Sequence, residues 1–468
     1  MVSSLAMWQG VEVEFCVPYK RGSLIYTYAP ELIEALQSYV FPEPYSKPAV
    51  LRFSDGTPSQ FLINGGRAYG DISSRPGIYD ILEITTPECR NALQIVAYEK
   101  ATEVYARIAA QEYSRRSGEV VHVYKTSVTR SSPDTDQYTT RGLHESYLVE
   151  REKVFEKLDL LVPYLVIRPL FCGAGGYYRG CFTISPRQFF IREVYAKEIY
   201  GWWPLICLRD EPHAPRHMYR VHVTNGEPTR SEVAIFLRQS ITSYVLHAIQ
   251  RGFIKEVPRL WNPAAAAMSV SENLQGDWKF LLADGSYANA LDYFNAYYLE
   301  AVEKLFGESV VDDYDRRALS ELKLVLSKLE QGLFEDLATR LEWAMKLKVI
   351  EKEFSQFFEE KPTPELKEAA VNQWTAVTDP TYDELAEELK VVRIVSDEEI
   401  LQAVLNPPPE TRAYLRVTLA ERLQRHLRDL GWSHFQVDER VYAVEQLEGW
   451  TPERVEELIS KVEREVEF

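Results

Sequence analysis

The chain is poor in cysteine. Cys16, Cys89, Cys172, Cys181 and Cys207 are odd in number and form no close CxxC pair, which argues against a disulfide framework and a zinc knuckle and reads as reduced, mostly buried thiols. The sequence also has no HExxH and no glycine-rich loop ending in GK[ST], so neither of those catalytic devices is available to it. No apolar run reaches membrane-spanning length, and "MVSSLAMWQG" lacks a basic stretch followed by a long apolar one; a cytoplasmic protein with no membrane partner is expected. Positive charge is scarce as well. With 53 Lys and Arg against 70 Asp and Glu the net charge is −17, and without a basic stripe no nucleic-acid partner is expected. An anionic ligand must then be held by a local cluster of Arg and His.

What is present is an ordinary globular composition, 46% hydrophobic and 26% charged over 468 residues, long enough for one large domain with a smaller companion. Up to about residue 290, short alternating runs such as "VEVEFCV", "EVVHVYKTSV", "CFTISP" and "YRVHVTNGEP" are interrupted by helical stretches such as "NALQIVAYEKATEVYARIAAQEYSRR", which predicts an antiparallel sheet with one wetted face. From Tyr314 to about Phe358 apolar residues at Leu319, Leu322, Leu326 and Leu329, then Leu337, Leu341, Ala344 and Leu347, fall at helical spacing and read as core. The prolines and mixed charge of "EEKPTPELKEAAVNQWTAVTDPTYDEL" suggest a linker or a segment at the edge of the active site. "NPPPETRAYLR" opens a C-terminal unit that ends in a helix, with Thr451 as cap, Pro452 at its first position and Val455, Leu458, Ile459 and Val462 as one stripe. The expected division is 1–390 and 391–468.

The chemistry gathers in carboxylates on strands. In "GVEVEFCVPY" the alternation puts Val11, Val13, Phe15 and Val17 on one face and Glu12, Glu14 and Cys16 on the other. Carboxylates at i and i+2 stand roughly 7 Å apart, close enough to flank a hard cation and costly to bury without one; a half-exposed strand with solvated glutamates is the alternative. "NGGRAYGDIS" places Tyr69 and Asp71 on one face of a second strand, "ILEITTPEC" supplies Glu83 and Glu88, and "RGLHESYLV" brings His144 and Glu145. Acidic groups on several strands suit Mg²⁺ or Mn²⁺. The matching cations are Arg209, His213, Arg216, His217, Arg220 and His222 in "LRDEPHAPRHMYRVHV", a set fit for phosphate oxygens or, alternatively, a surface patch paired with Asp210 and Glu211. Glycine-rich "FCGAGGYYRG" matches no phosphate loop and is equally a hairpin turn.

Taken in order, "GVEVEF", "FLINGGRAYGD", "TTPEC", "HESYL", "FCGAG", "ISPRQFF", "RDEPHA", "YRVHV", "LADGSYANALDYFNAYYLEA", "PPPETRA" and "GWSHF" resemble the Pup ligase and deamidase-of-Pup (depupylase) family of glutamine-synthetase-like carboxylate–amine ligases. The resemblance implies an α+β fold, an antiparallel sheet cradle backed by helices, with a small C-terminal domain at the nucleotide site. It implies ATP and Mg²⁺ as cofactors, with Glu12, Glu14, Tyr69 and Glu83 holding the metal and Asp71 as the catalytic aspartate. Arg209, Arg220, His222 and Trp432 would line the nucleotide and phosphates, with His144 and Glu145 close by. The implied partners are a small protein tag, Pup or Pup-like, and the proteins that carry it.

Within that family "GVEVEF" and "ISPRQFFIREV" lean toward the deamidase branch, in which Asp71 acts as nucleophile or base on the terminal amide or isopeptide. "TPEC" and the short stretch from Tyr28 to Phe53 lean toward the ligase branch, in which ATP activates the tag's terminal glutamate and Asp71 deprotonates a lysine. The deamidase is the leading expectation, the ligase its alternative, and a non-catalytic tag or nucleotide binder a third. Departures from the family pattern are the longer "ISSRPGIYDIL" before Glu83, Ser127, Val128, Thr129 and Arg130 followed by the "SSPDTDQYTT" loop, and Thr229 in place of a frequent asparagine. They are expected to lie near a macromolecular substrate.

Overall fold

The computed structural model describes residues 3–20, 27–38, 59–71, 80–130, 137–353, 361–423 and 426–466. The stretch from 39 to 58, residues 72–79 of the "ISSRPGIYDIL" segment and residues 131–136 of the long loop lie outside the described residues.

The alternating segments assemble into an eight-stranded sheet in the order Glu193–Ala196, Pro204–Cys207, Met218–Gly226, Leu143–Glu150, Gln9–Cys16, Ile81–Thr85, Arg67–Asp71, Ser59–Phe61. All neighbours are antiparallel except the first pair. Val11, Val13 and Phe15 of the central strand are buried and face the helix Ala92–Ser117, which packs on this strand and on the helix Glu232–Gln250. Asn91 caps the first of these helices by accepting from the Gln94 N–H at 2.9 Å, and Gly118, at φ 74°, ends it in the left-handed region.

Between the two helices lie buried charges, each paired as burial demands. Lys125 reaches Glu99 and Glu103 at 3.0 Å each, Arg230 reaches Glu103 at 3.3 Å, and Arg238 pairs with Glu99. One face of the sheet is thereby spent on the core. The other is left for polar side chains.

The strand expected through "EVVHVYKTSV" pairs only at Tyr124, by isolated bridges to Cys16 and Ala376, before the short strand Val128–Arg130. The leucine-patterned stretch forms the helix Asp313–Glu330, a 3-10 turn at Phe334–Leu337, and the helix Glu342–Lys346, which continues as a π turn over Leu347–Glu353. The expected linker is a correction: it holds the helices Pro364–Thr375 and Thr381–Glu388, with Trp374 buried. Pro364 stands in the first turn behind the Thr363 cap, where proline's missing N–H costs nothing, so it starts a helix instead of breaking one.

Past residue 390 the chain is fastened to the large unit. Glu232 accepts from the backbone N–H of Ile394 at 2.6 Å and of Val395 at 3.0 Å, and the helix Asp397–Leu405 packs on Ala92–Ser117. The remainder is the helix Arg412–Arg422, a three-stranded sheet of Leu427–Leu430, His434–Val437 and Arg440–Ala443, and the helix Pro452–Val466 with Val455, Ile459 and Val462 inward.

Glu88 clamps this part to the sheet by accepting from Arg412 at 2.9 Å and Arg416 at 2.7 Å. Burial pushes the Glu88 carboxyl up, but Arg416 and Arg412 outweigh it and bring it from 4.5 down to about 2. A group with a depressed folded-state pKa contributes stability above its unfolded pKa and loses it as pH falls through the folded value. Glu88→Gln is therefore expected to lower stability by about 3 kcal/mol at neutral pH. The gap to the parent should narrow as pH drops from about 4.5 toward 2, which urea unfolding at neutral pH and near about pH 3 would read.

Candidate active site

Strand register sets the floor of the site. On the open face Glu12 stands opposite His144 on one neighbour and Thr85 on the other, Glu14 opposite Glu83, and Glu83 opposite Tyr69. Arg220 and His222 come from the next strand out, opposite Leu148 and Ser146. Side chains from five strands, distant in sequence, thus share one surface, because alternation keeps directly opposed residues on the same face.

The floor contains two groups. Glu12, His144 and His222 bring ligand atoms within 4.8 Å of one another, and so do Glu14, Asp71 and Glu83. In the first group Glu12 lies 3.4 Å from His144 Nδ1, 3.5 Å from His222 Nε2 and 3.7 Å from Arg220 Nη1. Burial pushes the Glu12 carboxyl up, yet hydrogen bonds from His144 and His222 and the charges of His222 and Arg220 hold it well below the usual range. Burial and the Arg220 charge also bring His222 down to about 4.

In the second group the balance reverses. Burial, then the charges of Asp71, Glu12 and Glu14, push the Glu83 carboxyl well above its ordinary value. Burial and the Glu83 charge do the same to Tyr69, whose hydroxyl donates to Glu83 at 2.5 Å. This half of the floor sets three carboxylates side by side.

Two clefts open over the floor. One of about 370 Å³ is lined by Glu12, Tyr69, Glu83, Arg220, His222 and Trp432 among others. The second, of about 300 Å³, is lined by Glu14, Ile81, Thr140, Arg187, Tyr200 and Trp203. Asp71, His144, Ile199 and Arg209 line both, where the two adjoin. Trp432 is held in the first cleft's wall by Arg416, 4.8 Å from its ring, and by an edge contact with Phe61 at 5.4 Å.

The family model described as Pup-ligase protein matches residues 31–436. The chain belongs to the Pup-ligase family. Pup-ligase relatives include the Pup–protein ligase of Xylanimonas cellulosilytica, 30% identical over 398 residues that cover 81% of this chain and 84% of the relative. A solved complex of the prokaryotic ubiquitin-like protein Pup with its ligase PafA superimposes with a TM-score of 0.81 at 24% identity, over 98% of this chain and 93% of that one. A PafA structure in complex with ADP superimposes with a TM-score of 0.75 at 26% identity, over 88% and 90%. The Pup-ligase family is one of enzymes, carboxylate–amine ligases of the glutamine-synthetase-like superfamily, and the antiparallel cradle backed by helices is the fold expected of it. The leading expectation of a deamidase is not supported. The names of the family, the relative and both structures are those of ligases. Among the described residues no helix is long and apolar enough to cross a membrane.

Glu12, Glu14, Tyr69, Asp71, Glu83, His144, Arg220, His222, Arg209 and Trp432 all line one or both clefts. Glu145 does not. As the neighbour of His144 on one strand it must point through the sheet, where it is fully buried and pairs with Arg168 at 2.6 Å while accepting from the Tyr147 hydroxyl at 2.6 Å; it belongs to the core. Arg216 and His217 are exposed and line neither cleft. The glycine-rich stretch is the hairpin of Gly176–Tyr178 and Cys181–Thr183, with Gly175 at φ 67° against Trp343. Ser127 and Thr229, expected near a substrate, are buried and donate to Glu227 at 2.6 Å and Glu342 at 2.5 Å.

The donor set fits divalent cations, with Glu12 in one group and Glu14 and Glu83 in the other. Glu14, Asp71 and Glu83 offer only oxygen, as Mg²⁺ prefers; Glu12 with two imidazoles is a mixed set that also suits Mn²⁺. His144 Nε2 and His222 Nε2 are buried and face carboxylate oxygens of Glu14 at 3.4 Å and Glu12 at 3.5 Å, so both imidazoles stand among the carboxylates that would share a cation with them. Arg187, which lines the second cleft, and the Arg412 and Arg416 clamp have no local sequence signal: "ISPRQFF" and "PPPETRA" include all but Arg416, but nothing in their spacing marks them.

Proposed function

We propose that this chain is an ATP-dependent ligase that joins the side-chain carboxylate of the C-terminal glutamate of Pup or a Pup-like tag to the amine of a target lysine. The reading rests above all on two clefts meeting over one acidic floor, with Asp71 and His144 between them. The nucleotide takes the first, its phosphates toward Arg220, His222 and Arg209 and its base toward Trp432. The ADP complex of PafA supports this use of nucleotide. Residues 391–468 act as the nucleotide-side subdomain, fixed through Glu88.

The tag's terminus takes the second cleft. Divalent ions held by the two floor groups, when bound, neutralise the triphosphate and polarise its γ-phosphoryl group. A carboxylate oxygen of the tag attacks the γ-phosphorus, the bond to the bridging oxygen breaks, and ADP leaves an acyl phosphate behind. The lysine nitrogen then attacks the acyl carbon, inorganic phosphate departs, and Asp71 accepts the proton that the amine sheds. Glu14 and Asp71, both on the second cleft, draw a cationic lysine to that point.

The test is stoichiometry. The purified chain with Mg-ATP, a glutamate-terminated tag and a lysine acceptor should form ADP and phosphate in a one-to-one ratio with conjugate. Release of ammonia from a glutamine-terminated tag, or of free tag from conjugates, without net ATP consumption would show a hydrolase instead.

A further inference from the structure

Among the described residues ten Lys and Arg side chains are buried. Nine of them, Lys125, Arg141, Arg168, Arg230, Arg238, Lys346, Lys367, Arg412 and Arg416, have a carboxylate oxygen within 4.0 Å. The tenth is Arg187, 3% exposed. Burying a guanidinium without an anion is costly, and the described residues supply only neutral acceptors: the Thr224 carbonyl at 3.1 Å from Nε and 2.8 Å from Nη2, and the Thr140 hydroxyl at 3.0 Å from Nη1. Arginine has five N–H bonds, so two remain. Glu227, the carboxylate beside it, is occupied by the backbone N–H of Arg187 at 2.8 Å and of Ala174 at 3.0 Å and by Ser127. Burial accordingly pulls the Arg187 pKa down, with Glu14 and Glu227 opposing from a distance.

Its position points to the missing anion. Arg187 lines the second cleft together with Glu14, Asp71 and His144. A Cβ placed on Gly142 would lie 2.6 Å from Arg187 Nη2 and 2.8 Å from His144 Nε2, so the guanidinium and the floor imidazole both pack against the Gly142 backbone. An anionic substrate entering here meets repulsion from the floor and a single buried, uncompensated cation beside it. A C-terminal glutamate brings two carboxylates, one that reacts and one that has no part in the chemistry.

We propose that Arg187 determines specificity by binding the α-carboxylate of the tag's terminal glutamate, which sets the side-chain carboxylate over the floor and restricts the reaction to a free C-terminus. This rests on the ligase reading above. An arginine fork suits a carboxylate better than any single donor could, and burial of the guanidinium strengthens the pairing.

The test uses the full chain with Mg-ATP, a lysine acceptor and two synthetic tags that differ only in the terminal group, a free α-carboxylate or an α-carboxamide. The parent protein should favour the free acid at least about 100-fold in kcat/KM. Arg187→Gln should lose about as much on the free acid, little on the amide, and nothing in ADP affinity, so that the preference collapses; Arg187→Lys should fall between. Equal use of both tags by the parent, or an equal loss on both in Arg187→Gln, would overturn the proposal. Should Arg187→Gln fail to fold, the comparison of the two tags on the parent decides alone. No conjugate and no ATP turnover with either tag would overturn the ligase reading and this role with it, whereas conjugation indifferent to the α-group would overturn this role only.

Discussion

Asp71→Asn is expected to abolish conjugate formation, by a factor of about 10³ or more, equivalent to roughly 4 kcal/mol of barrier, while ADP affinity falls no more than about tenfold, because Glu14 and Glu83 remain in that group and the Glu12 group is intact. Asp71 lines both clefts, within the Glu14 and Glu83 group, where a base can meet the incoming amine. The amide keeps the shape and removes the proton acceptor. If the aspartate serves only the second step, the variant should still release up to one equivalent of ADP when mixed with tag and ATP, then stop. Rapid-quench measurement of ADP separates the steps. Undiminished conjugation in the variant would remove Asp71 from the mechanism.

The second large effect concerns the floor itself. Glu12→Gln combined with Glu14→Gln removes one carboxylate from each three-residue group and leaves His144, now between two amides, without the anions it faces at 3.4 Å on either ring nitrogen. Affinity for Mg-ADP should fall at least about 100-fold, about 3 kcal/mol, because a hard cation gains little from an amide oxygen in place of an ionised one. Calorimetric titration reads this directly, and melting in the presence of a chelator distinguishes a lost ligand from a lost fold. An unchanged affinity would mean that the nucleotide's cations bind elsewhere.

Much of this site was legible in the sequence because strands obey a period of two. Glu12 with Glu14, Tyr69 with Asp71, and Arg220 with His222 are each two apart, and each pair faces the floor. The same rule separates His144 from Glu145: neighbours on a strand cannot share a face, and Glu145 went to Arg168. What no local pattern shows is which strand lies beside which. The pairing of Glu14 with Glu83, or of Arg412 and Arg416 with Glu88 across 324 and 328 residues, follows from closing a sheet and docking a helix, not from spacing. Arg187 was hidden for a different reason. A buried cation is conspicuous only once its lack of a counter-charge is visible, and that is a property of every neighbour at once. Pro364 misled because a proline reads as a breaker until the threonine before it is recognised as a cap.

The helix Arg412–Arg422 has a double duty. The arginine side chains that tie the last part of the chain to Glu88 also brace Trp432 from behind, through Arg416. A version of the chain halted ahead of Thr411 would therefore lose more than its tail: one side of the larger hollow, the one Trp432 lines, would open to solvent.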